Sequence, residues 1–127
     1  MPIKCTYNKQ ENYLECIVDG ELTIDIFKRT LNSLMTSDEH PPDVDTLWDL
    51  RNFDFANVDA DTQRQWVELR SKQPKRGNAR MAMLVNDDVN FGKSRMYEMW
   101  SGGLPQRMRA FRDYDEAKTW FLSDKDN

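Results

Sequence analysis

The 127-residue chain is predicted to fold as one α/β domain, residues 1–127, on a five-stranded mixed sheet with four helices. Three observations predict it. Two N-terminal runs alternate apolar and polar residues with period two, the signature of paired strands. After them, short apolar runs alternate with longer amphipathic stretches, which implies helical crossovers and a mainly parallel remainder. Hydrophobic residues make up 39% and charged residues 31%, enough apolar matter for one core. No apolar run approaches the roughly 18 residues that a membrane-spanning helix needs.

The first two strands form a hairpin. Ile3, Cys5 and Tyr7 alternate with polar residues, as do Leu14, Cys16 and Val18. A two-residue turn at Gln10-Glu11 pairs Ile3 with Val18, Cys5 with Cys16 and Tyr7 with Leu14, so each pair shares one sheet face. Gly20 closes the second strand, and Thr23 is placed to cap the first helix. Ile24, Phe27, Leu31, Leu34 and Met35 then fall at helical spacing, to about residue 37. His40-Pro41-Pro42 ends that segment.

Residues 44–50, with Thr46-Leu47-Trp48-Asp49-Leu50 inside them, read as a buried strand. A loop rich in Asp and Asn follows and carries Phe53, Phe55 and Val58. Asp59 or Asp61 caps a second helix over about 60–73, which Pro74-Lys75-Arg76-Gly77 breaks. Its large apolar residues are Trp66, Val67 and Leu69, a narrow seam. Residues 80–85 are the fourth strand, and a third helix over about 90–101 stops at Gly102-Gly103. Residues 107–111 are the last strand. Asp113 and Glu116 are spaced as a capping box for a helix over 113–122.

Composition excludes several classes. Twenty-two acidic against 18 basic residues give a net charge of −4, which argues against a nucleic-acid partner. Five Gly and five Pro exclude a collagen-like chain. Cys5 and Cys16 are too few for a disulfide scaffold, and a reducing cytoplasm with two thiols is the expected setting. The N-terminus has no apolar signal stretch, and Pro2 stands where myristoylation needs Gly. Charge is uneven along the chain. Residues 1–69 carry net −8, residues 70–112 net +7 and residues 113–127 net −3.

With the element order in place, the chain resembles the SpoIIAA-like family, within the STAS and CRAL-TRIO (Sec14-type) group. The matching stretches are Asp19-Gly20-Glu21-Leu22-Thr23, Leu47-Trp48-Asp49-Leu50-Arg51 and the run from Phe91 to Glu98. Arg109-Ala110-Phe111-Arg112-Asp113 and Ala117-Lys118-Thr119-Trp120 complete them. The resemblance implies a right-handed β-α superhelix with strands adjacent in chain order. STAS anti-sigma antagonists are switched by phosphorylation of a Ser at the start of a helix. Here the corresponding stretch, residues 57–62, contains no Ser and has Thr62 as its hydroxyl. CRAL-TRIO proteins carry lipids in a hydrophobic pocket behind a mobile helix.

Few residues suggest catalysis. His40 is the lone histidine, in a loop and without a spaced Ser or Cys partner. The cysteines lack metal-ligand spacing, and no Gly-rich phosphate loop precedes a helix. The expected function is therefore a non-enzymatic binding domain for a hydrophobic or amphipathic, lipid-like molecule, with no cofactor and no metal. Transient contact with an anionic membrane surface from the cytoplasmic side accompanies it. The alternative is a protein-binding regulatory module of anti-sigma-antagonist type without its phosphorylatable Ser. The expected pocket lies between the second and third helices, lined by Phe53, Phe55, Trp66, Phe91, Met96 and Trp100. Arg51, Lys93 and Arg95 are the expected headgroup cations at its mouth.

Overall fold

The computed structural model describes residues 3–55, 58–72, 79–104 and 106–123. Its elements are β1 (Ile3–Asn8), β2 (Tyr13–Asp19), α1 (Ile24–Thr36), β3 (Asp45–Asn52), α2 (Ala60–Ser71), β4 (Arg80–Leu84), α3 (Asp88–Trp100), β5 (Arg107–Phe111) and α4 (Tyr114–Leu122). The five strands form one sheet in the order β1-β2-β3-β4-β5, with β1 antiparallel to β2 and the other pairs parallel. This is the expected α/β architecture.

The hairpin register is the one the alternation implied: Ile3 opposite Val18, Cys5 opposite Cys16, Tyr7 opposite Leu14. Its connection differs. Pairing stops at Asn8 and Tyr13, which leaves four residues rather than two in the turn. Asn12 takes a positive φ of 55° there, a conformation Asn tolerates. Gly20, at φ 89°, turns the chain out of β2.

Every strand lies beside its chain neighbour, so the crossovers through α1, α2 and α3 step across the sheet in one direction. One handedness then puts these three helices on one face. Leu14, Cys16, Val18, Trp48, Leu50, Met81, Met83 and Ala110 point to that face and form the main core with Phe27, Leu31, Leu34, Trp66 and Tyr97. α4 covers the other face, where Tyr13, Leu47, Ala82, Leu84 and Phe111 meet Ala117. β4 is buried along its whole length because helices lie on both sides of it.

The helix starts follow side-chain caps. Thr23 accepts from Ile26 N at 3.1 Å and Asp59 from Thr62 N at 2.8 Å. α3 begins two residues before the expected start at Asn90, because Asp87 accepts from the Asn90 backbone N–H at 2.8 Å and from its amide at 2.7 Å. For α4, Asp113 accepts from Asp115 N at 2.8 Å. That is one residue before the Glu116 a capping box would use. The Pro74–Gly77 breaker lies outside the described residues.

His40 is in a loop, as expected, and its ring is buried and packs 5.9 Å from Tyr7. Nδ1 lies 3.0 Å from the Pro41 carbonyl, so the ring closes the α1–β3 connection against the hairpin.

Candidate functional site

Between the sheet and the α1–α3 layer lies a cluster of aromatic rings centred on Trp66. Phe27 stands 5.6 Å from it, Tyr97 5.8 Å with an edge-on angle of 88°, and Phe55 6.0 Å at 71°. Phe53 meets Phe55 edge-on at 6.0 Å. These rings and Trp48, Met83 and Met108 line a cavity of about 30 Å³. That is room for a water or two, so the site as it stands is closed to anything larger.

Among the described residues, one charged side chain lines this apolar space. Arg70, in the last turn of α2, is 3% exposed. Its Nη1 donates to Ser101 Oγ at 2.8 Å and Tyr97 Oη at 3.3 Å, and approaches Met108 Sδ at 3.6 Å. The guanidinium lies 5.5 Å from the Tyr97 ring centre. Burial pushes the Tyr97 phenol above its usual range, although Arg70 opposes the shift. Arg70 lies in the last turn of α2 and bonds the C-cap residue of α3, and helix C-termini favour a cation. No carboxylate is among the described residues that line the cavity.

The same region concentrates buried polar atoms that have no hydrogen-bond partner. They are Arg70 Nε and Nη2, Trp48 Nε1, Trp66 Nε1 and both amide atoms of Gln63. Each such group costs about 1–3 kcal/mol when left unmade, more if charged. Three of these residues form the buried stripe of α2: Gln63, Trp66 and Arg70. The sequence pattern pointed to Trp66, Val67 and Leu69, but Val67 and Leu69 are only half-buried. α2 is thus rotated to bury two polar residues for each large apolar one.

The structure brings part of the expected site together. Phe53, Phe55 and Trp66 line the cavity. Phe91 packs at the edge of the core. Met96 and Trp100 are on the outer surface of α3, with the Arg64 guanidinium 4.7 Å over the Trp100 ring. Lys93 and Arg95 are also on α3, and Arg95 lies 3.7 Å from Glu98. Arg51 stands on the opposite sheet face. Trp48 and Leu50 point to the cavity side, so alternation sends Asp49 and Arg51 to the α4 side. There Arg51 grips Asp49 through Nε at 3.0 Å and Nη2 at 2.8 Å, near Glu15 and Tyr114. Burial opposes the Asp49 charge, but the side-chain and backbone hydrogen bonds and the charge of Arg51 outweigh it and hold the carboxyl below its usual range.

Sequence reasoning missed Arg70, Tyr97 and Met108 as lining residues. One signal was available: Arg70 stands four residues after Trp66 and so shares its helix face. Among the described residues, the basic side chains of the run 70–112 do not form one patch. Arg70 is buried between α2 and α3, whereas Arg80 is buried under α4, where Nη1 donates to Ser123 Oγ at 2.6 Å. Arg112 pairs with Asp88.

Outside the cavity, α3 carries an exposed apolar face. Val89, Met96, Met99 and Trp100 are all exposed, Met99 at 82%. No helix among the described residues is long and apolar enough to cross a membrane. Among them, too, no three His, Cys, Asp or Glu side chains converge as a metal site would need. The α2 cap is Asp59, which accepts from the Thr62 backbone N–H.

This arrangement of sheet and helices is a SpoIIAA-like fold. It is similar to the crystal structure of an uncharacterised protein of the DUF3478 family, described as having a SpoIIAA-like fold, from Shewanella loihica PV-4. The likeness has a TM-score of 0.64 at 18% identity and covers 93% of this chain and 90% of that one. No family model matches the chain, and no curated protein matches it.

Proposed function

We propose that this domain is a non-enzymatic binding module for a small amphipathic ligand, taken up between α2 and the sheet. The observation that carries the reading is the buried stripe of α2. Gln63, Trp66 and Arg70 present unpartnered polar atoms to an otherwise apolar, aromatic layer. A helix docked in this way gains about 1.5–3 kcal/mol from its one fully buried large side chain and loses part of it to unmade hydrogen bonds. A helix held by so little apolar burial is placed to move. Outward movement of α2 widens the small cavity into a ligand-sized cleft walled by Phe53, Phe55 and Tyr97.

The outer face of α3 supports a route to such a ligand. Met96, Met99 and Trp100 are exposed beside Arg64, Lys93 and Arg95. Apolar and aromatic groups flanked by cations suit the interface of an anionic lipid surface, where each cation contributes about 1 kcal/mol. The domain then docks transiently and exchanges its ligand there.

Native mass spectrometry of the purified protein tests uptake directly, with decanol added as an uncharged amphiphile. A one-to-one adduct, with a shift in Trp66 emission, is the expected result. No adduct and no emission change would reject the binding reading. Vesicles containing phosphatidylserine should shift Trp100 emission, less so as salt rises, and Met99→Asp should abolish that shift.

A further inference from the structure

The geometry points to Arg70 as the headgroup-binding residue of this cavity and to a monocarboxylate as the headgroup it takes. This rests on the binding reading above and adds the chemistry of the ligand. A guanidinium offers two parallel N–H donors along the edge formed by Nε and Nη2, and that edge matches the two oxygens of a carboxylate. The chain uses the same edge once already: Arg51 Nε and Nη2 reach the two Asp49 oxygens at 3.0 and 2.8 Å. In Arg70 the arrangement is reversed. Nη1, the other nitrogen, is engaged by Ser101 and Tyr97, and these two bonds fix the plane of the group. Nε and Nη2 are buried and bond to no protein atom, on a side chain that lines the cavity.

The surroundings choose among anions. Arg70 is the one charged residue among the described residues lining the cavity, so a single negative charge balances it. A phosphate monoester carries about −1.5 to −2 at pH 7, and its excess charge would be buried unpaired. The other walls are Phe53, Phe55, Trp66 and methionines, which suit an alkyl chain. Methionine adapts to chains of varied shape. The ligand class is therefore an aliphatic monocarboxylate. Its carboxylate lies at the α2–α3 C-terminal end of the cavity, and its chain runs toward Phe53 and Phe55. Trp48 Nε1 and Trp66 Nε1, also buried without a partner, belong to side chains of the same lining.

Calorimetric titration with decanoate, decanol and decyl phosphate tests this on the wild-type protein and on Arg70→Met, which keeps side-chain length without charge. The wild type should bind decanoate at least tenfold more tightly than decanol and more tightly than decyl phosphate. Arg70→Met should retain decanol binding and lose the tenfold preference. In wild-type protein the Arg70 Nε–H resonance should shift with decanoate and stay in place with decanol, a readout that needs no variant to fold. Equal binding of decanoate and decanol, an unmoved Nε–H resonance, or preference for decyl phosphate would each overturn the carboxylate assignment and leave the cavity as a binding site. Failure of all three chains to bind would instead overturn the binding reading itself.

Discussion

Arg70 Nη1 donates to Ser101 Oγ at 2.8 Å, and Ser101 Oγ donates to Tyr97 O at 2.9 Å. This relay joins the last turn of α2 to the C-cap of α3. Both partners are buried, so removing the hydroxyl leaves a guanidinium nitrogen with weaker acceptors. Ser101→Ala should lower unfolding stability by about 1–3 kcal/mol. Urea unfolding read by tryptophan emission checks this; an unchanged midpoint would mean the relay contributes nothing.

Gln63 has the opposite balance. Its amide is fully buried, and neither Oε1 nor Nε2 has a partner. Replacing an unsatisfied polar side chain with an apolar one of similar size removes the desolvation cost. Gln63→Leu should therefore stabilise the protein by about 1–2 kcal/mol. The same change docks α2 more firmly, so amide exchange across 60–71 should slow, and uptake of decanol with it. Stabilisation without slower uptake would show that α2 does not gate the cavity.

The Asp49–Arg51 pair sets a pH dependence. Its carboxyl is held below the ordinary range, so the unfolded chain binds more protons than the folded one near pH 4. The stabilisation is complete above the unfolded value, about pH 4. It is lost as pH falls through the lower folded value. Arg51 is half-exposed, which limits the effect to at most about 1 kcal/mol. Asp49→Asn should be less stable than wild type at pH 7, with the gap closing below pH 4. A gap that persists in acid would assign the loss to packing instead.

Across the hairpin, Cys5 Sγ lies 2.6 Å from Cys16 Sγ. The hydrogen bond from Cys16 lowers the Cys5 thiol below its usual range, against the opposing effect of burial. Cys5 is exposed and Cys16 buried. Iodoacetamide should therefore label Cys5 first. Glutathione disulfide should join the pair, with release of two glutathione thiols and loss of two hydrogens from the protein mass. Labelling of Cys16 ahead of Cys5, or mixed disulfides that never resolve to the intramolecular bond, would contradict the paired geometry.

Much of the fold was legible because strand and helix periods leave a direct mark on the chain. Ile3, Cys5, Tyr7, Leu14, Cys16 and Val18 alternate, and their spacing leaves one register that buries them together. The turn was less legible, because the same register accommodates two or four residues in the loop. Phe27, Leu31 and Leu34 mark the α1 stripe unambiguously because its polar and apolar faces are well separated.

The site was legible only in part. Phe53, Phe55 and Trp66 could be named from the sequence because large aromatic rings in a polar stretch are commonly buried, whereas the same reasoning failed for Trp100. The rotation of α2 was decided by tertiary packing. Its pattern is too weakly amphipathic to choose a face, and Trp66 seated among Phe27, Phe55 and Tyr97 carries Gln63 and Arg70 inward with it. The placement of Arg51 was decided in the same way. β3 is buried on both sides, so alternation separates Trp48 from Asp49 without saying which side the three crossover helices cover. Local sequence therefore determined the elements and their order, whose forces act over a few residues. The charge at the cavity wall depended on contacts between α2, α3 and β5 that are 27 to 38 residues apart in the chain. No local period records them.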